Sequence, residues 1–263
     1  MSDRYFYERT GPDRFRPTGH VQGAWRDGEQ HLAPVSGLLA HAVERHDPRP
    51  DLQLARITFD VLGVIPLDES VVAVRTVRPG RTIELVEATL SVAGRVAVRA
   101  SAWRLPRHDT ATVAGGLPEP LPPVEGMAAW TGALRWTGGY IAALDGRRSA
   151  DTVPGRARVW LRSDVELVAG EAVTATASFL RLVDTANGVA PRVDPREWMF
   201  PNVDLTVHLV RAPQGPWVGL DTTVTLGTDG LGLTSSWLHD ERGPVGRAEQ
   251  ALTVRRLPPG GLG

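Results

Sequence analysis

The chain has 263 residues, of which 42% are hydrophobic and 22% charged, and its formal net charge is −1. This composition is typical of a globular protein, and the small net charge gives no electrostatic reason to expect nucleic acid as a partner. There is no cysteine, which excludes disulfides, thiolate metal sites and a cysteine nucleophile.

The N-terminal segment MSDRYFYERTGPDRF lacks the apolar run of a signal peptide. No stretch approaches the ~18 consecutive apolar residues of a membrane span. We therefore expect a cytoplasmic protein without a membrane span. The length exceeds the usual ~100–200 residues of one domain, so two domains are expected.

The first part of the chain predicts one helix followed by four strands. Residues 1–30 are polar and broken by glycine and proline, so no long element is predicted there. The segment PVSGLLAHAVERH, residues 34–46, carries apolar residues at helical spacing. Alternating, β-branched segments then begin at Arg56, Val71, Arg81 and Arg95 and predict strands.

A segment rich in proline and glycine, residues 106–123, separates this pattern from a second copy of it. The copy has a strand at 157–162, a helix at 173–187 that ends before Gly188, and strands that begin near 202, 217, 230 and 245. A helix followed by an antiparallel meander indicates an α+β unit, here duplicated. The two sheets could also pair edge to edge and so protect their exposed strands. The expected organisation is an N-terminal domain, a linker and a C-terminal domain at residues 1–106, 107–128 and 129–263.

Asp184 lies on the otherwise apolar face of the second predicted helix, which it shares with Ala177, Leu180 and Val183. Burying an ionised carboxylate costs several kcal/mol unless hydrogen-bond donors hold it. Two interpretations follow from these residues alone. Asp184 is either a catalytic acid or base, or an aspartate at a solvated helix end.

Four segments of the second half form a recognisable series. They are VWLR at 159–162, LVDTANG with Asp184, PNVDLTVHLVRAP from Pro201, and AEQALTV around Gln250. In this order and spacing they resemble the double-hotdog acyl-CoA thioesterases, the type II bacterial enzyme and its actinobacterial relatives. The segments RITFDVLGVIPL and RPGRTIELVEATL extend the resemblance to the first half. The resemblance implies an α+β tandem hotdog, with two antiparallel sheets each wrapped around a central helix.

The resemblance also implies a site and a reaction. Asp184 would be the catalytic carboxylate and Gln250 its amide partner, and the third position falls on Asn202, where better-known members have a hydroxyl residue. Thr206, four residues along the same strand, is the fallback for that position. The implied reaction is hydrolysis of an acyl-CoA substrate by water, without a cofactor. In it the amides orient the water and leave the carboxylate free to act as base. A homo-oligomer is also implied, and a catalytically silent protein that binds acyl-CoA or an acyl carrier is the alternative.

Other candidate groups favour ordinary structural roles. Asp204 and His208 share one face of a strand, and ordinary strand positions are favoured over a catalytic dyad. Arg78 and Arg81 could hold the phosphates of coenzyme A, although a solvated hairpin is the favoured interpretation. His46 is expected at a solvated helix end. The sequence contains no GxSxG elbow, P-loop or HExxH helix.

Overall fold

A computed structural model describes residues 4–132 and 136–257. In these ranges the helices are α1 (Leu32–Arg45), α2 (Gly139–Ala142), α3 (Ala175–Val183) and α4 (Ala186–Val189). The strands of the first half are β1 (Tyr5–Arg9), β2 (Arg14–Pro17), β3 (Leu52–Val61), β4 (Ser70–Arg78), β5 (Glu84–Val92) and β6 (Arg95–Pro106). Those of the second half are β7 (Ala128–Ala129), β8 (Asp145–Arg148), β9 (Arg156–Arg162), β10 (Glu166–Val168), β11 (Trp198–Met199), β12 (Asp204–Leu209), β13 (Val218–Leu226), β14 (Leu231–Asp240), β15 (Gly243–Thr253) and β16 (Arg255–Arg256).

Fourteen of these strands form one sheet, in the order β10-β1-β2-β4-β5-β6-β3-β12-β15-β14-β13-β9-β8-β7. The two halves join where β12 pairs antiparallel with β3, from Asp204 opposite Asp60 to His208 opposite Arg56. Each half therefore covers the strand edge that the other would expose. The tandem hotdog fold and its edge-to-edge pairing are confirmed.

The first 30 residues hold two short strands that the sequence did not predict. Phe6 and Tyr7 of β1 are fully buried. β1 pairs in parallel with β10 of the second half, with Tyr5 opposite Glu166, so the sheet is not purely antiparallel. Because the partner strand is distant in sequence, no local pattern could reveal this pairing.

Helices α1 and α3 cross closely inside the curved sheet. A Cβ atom on Gly37 of α1 would lie 2.5 Å from the Cβ of Arg181 on α3. The hydroxyl of Ser36 donates a hydrogen bond of 2.9 Å to the carbonyl oxygen of Leu180. This crossing brings the start of α1 beside the end of α3.

The prediction of one continuous helix over 173–187, ended by Gly188, was wrong. α3 ends at Val183, and α4 contains Gly188. The N–H of Thr185 donates to the carbonyl oxygen of Leu182, three residues back rather than four, at 3.2 Å. The Thr185 hydroxyl donates to the same carbonyl at 2.7 Å. This tightening ends the regular helix and leaves Asp184 as the residue that follows it.

Between β6 and β7 the chain runs outside the sheet. Leu121 of this segment packs with Trp160 and Trp217 in a small cluster apart from the main core. The domain boundary within 107–128 stays a prediction. Among the helices of the described ranges, none has the length and apolar character needed to cross a membrane.

Candidate active site

The side chains of Asp184, Asn202 and Gln250 meet in the second half. Asp184 Oδ1 accepts a hydrogen bond from Asn202 Nδ2 and another from Gln250 Nε2, each 2.8 Å long. Asp184 is only 5% exposed, which rules out the solvated helix end. The three predicted residues thus form one cluster around a buried carboxyl.

The two amides bind the carboxyl itself. The resemblance implied that the amides leave the carboxylate free, and this was wrong for Oδ1, which accepts an N–H from each of them. Oδ1 has both N–H donors, whereas Oδ2 receives neither of them. Any proton that the group exchanges is therefore best carried on Oδ2.

Neighbouring elements hold the two amides in place. Asn202 precedes β12, and its Nδ2 also donates to the carbonyl oxygen of Asp204 at 2.9 Å. Gln250 lies on β15 and is buried. Asn187 of α4 donates from Nδ2 to the carbonyl oxygen of Phe200 at 2.9 Å. That hydrogen bond links the segment before Asn202 to α4.

Thr206 does not share this location. It alternates with Leu205 and Val207, which are fully buried, so its side chain faces the outer side of the sheet. Period-two alternation does not carry back to Asn202 because that residue lies outside β12, which begins at Asp204. Asn202, not Thr206, therefore reaches Asp184.

The surroundings of Asp184 disfavour the ionised form of its carboxyl group. Burial raises the pKa of Asp184 to about 7, while the hydrogen bonds from Asn202 and Gln250 act in the opposite direction. The nearby charge of Asp204 adds to the increase in this pKa. Desolvation outweighs the two donors, and the carboxyl exchanges its proton near neutral pH.

His31, at the N-terminal cap of α1, is a neighbour of Asp184 that the sequence did not reveal. Its Nδ1 lies 3.3 Å from Asp184 Oδ2, and its side chain is 17% exposed. The same Nδ1 accepts the N–H of Ala33 at 3.0 Å, and the ring lies over Tyr140 with 4.2 Å between centroids. Burial lowers the pKa of the His31 imidazole to about 3. The contact between His31 and Asp184 joins the two halves of the chain. The sequence showed only that His31 precedes a predicted helix.

Two cavities adjoin the Asp184 carboxyl. The smaller has a volume of about 40 Å³, and its polar lining includes Asp184, Asn187 and Asn202. The larger has a volume of about 330 Å³ and shares His31, Asp184 and Asn202 with the smaller one. Its apolar lining includes Trp25, Leu32, Val61, Val64, Ile65 and Met199.

Two family models match the chain. The N-terminal domain of acyl-CoA thioesterases matches residues 21–105, and the C-terminal domain matches residues 108–254. The chain belongs to the acyl-CoA thioesterase family. The resemblance and the enzyme class expected from the sequence, a thioester hydrolase, are confirmed.

Solved structures share the fold of this thioesterase at low sequence identity. A hot dog fold protein of unknown function from Alicyclobacillus acidocaldarius is 15% identical, with a TM-score of 0.76 over 98% of this chain and 97% of that one. The acyl-CoA thioesterase II TesB2 of Mycobacterium marinum is 15% identical, with a TM-score of 0.65 over 99% and 98%. The tesB protein of Mycobacterium avium subsp. paratuberculosis is 17% identical, with a TM-score of 0.66 over 95% and 96%. No curated protein matches the sequence significantly.

The first half of the thioesterase places a different group at the end of its central helix. Arg104 of β6 is buried, forms an ion pair with Glu84, and donates to the carbonyl oxygen of His46 at 3.0 Å. A guanidinium that caps a helix and pairs with a carboxylate has a structural role. The aspartate–amide cluster therefore belongs to the second half.

The remaining candidates from the sequence lie elsewhere in the thioesterase. Asp204 accepts the N–H of Ala251 at 2.6 Å, while His208 is exposed on the outer side of β12. His46 lies 3.2 Å from the Thr76 hydroxyl. Within the described ranges, no three His, Asp or Glu side chains are grouped so that they could hold a metal ion.

Proposed function

We propose that this thioesterase hydrolyses an acyl-CoA thioester to a carboxylic acid and coenzyme A, with Asp184 as general base and Asn202 and Gln250 as the residues that hold it. The observation that carries the proposal is the buried carboxyl, whose pKa of about 7 lies where proton exchange is most efficient. Near pH 7 such a group is present in both forms, so it can accept a proton and later return it.

The reaction balances with one water molecule. Ionised Asp184 accepts a proton from water on Oδ2 while the water oxygen bonds to the thioester carbonyl carbon. The tetrahedral intermediate then expels the thiolate by breaking the carbon–sulfur bond, and the proton on Asp184 passes to sulfur. The products are the carboxylic acid and the free thiol, and Asp184 is ionised again.

The two cavities suit the two reactants. A volume of about 40 Å³ is large enough for a water molecule, which needs two to four polar partners, and Asp184, Asn187 and Asn202 supply such groups. The larger cavity, of about 330 Å³, can take the thioester and part of an apolar chain along Trp25 and Met199. Asp184 borders both, as a base between water and thioester must.

A thiol-release assay on purified protein across acyl chain lengths tests the activity. Asp184→Asn keeps the size of the side chain but removes the base, so we expect turnover to fall by ~10²–10⁴-fold with the fold intact by circular dichroism. The matched control is Asp60→Asn on β3, where the aspartate forms an ion pair with Arg99 at the surface. Turnover of this control should not change. Binding of acyl-CoA without release of thiol from any substrate would favour the catalytically silent protein instead.

We further propose a homo-oligomer, on the resemblance to the family. Light scattering on the eluted peak of a size-exclusion column should give a multiple of the 28.4 kDa chain mass. A mass of one chain at micromolar concentration would contradict this.

A further inference from the structure

The contact between His31 and Asp184 joins the start of α1 to the end of α3. The distance from His31 Nδ1 to Asp184 Oδ2 is 3.3 Å. Oδ2 is also the carboxyl oxygen to which neither Asn202 nor Gln250 donates. The first half of the chain thus supplies the group that faces the free oxygen of the proposed base.

The backbone determines the tautomer of His31. Nδ1 accepts the N–H of Ala33 at 3.0 Å as the cap of α1, so this nitrogen carries no proton. A neutral imidazole then has its proton on Nε2. Nδ1 and an ionised Oδ2 are both acceptors, and at 3.3 Å they repel each other.

The same tautomer rules out an Asp–His dyad in which Asp184 orients a histidine base. In such a dyad the imidazole donates one N–H to the carboxylate and uses its other nitrogen as the base. Here the nitrogen nearest the carboxyl is the acceptor, and the proton on Nε2 leaves that nitrogen without a free lone pair. His31 must therefore act through Asp184.

We propose that His31 is a positioning residue: its Nδ1 lone pair makes Oδ2 the oxygen that carries the proton of Asp184 and favours the protonated carboxyl in the free enzyme. A proton on Oδ2 shares the Nδ1 lone pair with the Ala33 N–H, so the repulsion between two acceptors becomes an O–H···N contact. The inference rests on the proposed function, in which Oδ2 exchanges the proton with water and the leaving sulfur.

Other charged groups surround the pair, and substitution at position 31 leaves them unchanged. Asp204 raises the pKa of Asp184, and Tyr140, which lies against the His31 ring, stays neutral because burial raises its pKa. The charged residues that line the larger cavity are Arg26, Glu29 and Arg255. Differences between variants at position 31 therefore report on that position.

Two substitutions of nearly equal shape separate this role from helix capping. Asparagine and aspartate are both strong N-cap residues, so His31→Asn and His31→Asp both keep an acceptor for the Ala33 N–H. The asparagine amide can donate to Oδ2 and should lower the midpoint of Asp184 titration by about one pH unit, a ~tenfold change in proton affinity. The aspartate carboxylate faces Oδ2 and should raise the higher midpoint of the coupled pair by a similar amount.

The midpoint is measured in two ways. Carboxyl ¹³C shifts of the free protein report the titration directly, with Asp184→Asn to assign the resonance. The lower limb of the pH profile of kcat/KM reports the same group during turnover. Opposite displacements in His31→Asn and His31→Asp are expected. Equal displacements, or none, would show that position 31 does not act on Oδ2, and would overturn the inference.

The ¹³C titration also separates this inference from the proposed function. A wild-type protein that releases no thiol, but whose carboxyl midpoints move apart in the two variants, refutes the function and retains the role of His31. Active wild-type protein with unmoved midpoints retains the function and refutes the role of His31. His31→Ser tests the wild-type lone pair itself, because it keeps a capping oxygen but removes the ring without adding a charge or an amide, and its midpoint must fall below that of wild type. An unchanged midpoint in His31→Ser overturns the inference.

Discussion

Replacing Asp184 by asparagine should lower turnover strongly and, at neutral pH, stabilise the fold. The asparagine carbonyl oxygen can accept both N–H groups that now bind Oδ1, from Asn202 and Gln250. Its own amide would face His31 Nδ1, 3.3 Å from the present Oδ2. The substitution therefore removes a buried charge and keeps hydrogen-bond partners for the new side chain.

The magnitude follows from the pKa of Asp184, which burial raises from 3.8 to about 7 in the folded protein. Between these values the folded state keeps a proton that the unfolded state has lost, so stability falls as pH rises. The linkage slope is ~1.4 kcal/mol per pH unit, which gives a cost of ~4 kcal/mol above pH 7. This contribution is fully present below the unfolded pKa and is lost as pH rises through the folded value.

Urea unfolding of wild type and Asp184→Asn at about pH 4.5 and about pH 8 measures this cost. The variant should gain ~3 kcal/mol in unfolding free energy relative to wild type between the two pH values. Other titrating groups cancel in this comparison because both proteins contain them. If the difference between variant and wild type is the same at both pH values, the pKa of Asp184 is not raised and the reasoning is refuted.

Three further outcomes follow from packing and orientation. Gly37→Ala should destabilise the protein by ~1–3 kcal/mol in thermal or urea unfolding because the new Cβ would overlap the crossing helix. Gly115 has open space around it, so Gly115→Ala should change the unfolding free energy by no more than ~0.5 kcal/mol. Arg104→Met should cost ~3–5 kcal/mol because it leaves Glu84 buried without its partner, and adding Glu84→Leu should restore most of the loss. Thr206→Val should leave kcat/KM within about twofold of wild type because the Thr206 side chain faces outward. A large loss of activity would show that Thr206 takes part in the reaction.

Local patterns predicted the repeated elements well. The helical stripe near residues 34–46 became α1, and the alternating segments became the strands that follow it. These features depend on which face of a segment is buried, and that periodicity is written into neighbouring residues. The buried carboxylate of Asp184 was visible as an anomaly for the same reason, since it interrupts an apolar face.

Local patterns failed where the structure depends on distant partners. The short strand β1 pairs along one edge with β10 of the other half. The break after α3 depends on Thr185, whose hydroxyl bonds Leu182 within the chain and meets Tyr140 from another element at 2.6 Å. Helical periodicity cannot show either contact.

For the candidate active site too, the sequence determined one part and the tertiary structure the other. The sequence by itself determined a duplicated helix-and-meander fold and, through the resemblance, the residues Asp184, Asn202 and Gln250. Only the tertiary structure decided that both amides bind a single oxygen of the carboxyl and that His31 faces the other. The crossing of α1 and α3 makes this possible because it places a cap of one half against the carboxyl of the other. The physical reason is that desolvation and hydrogen bonding depend on all the groups that surround an atom, and most of those groups come from distant parts of the chain.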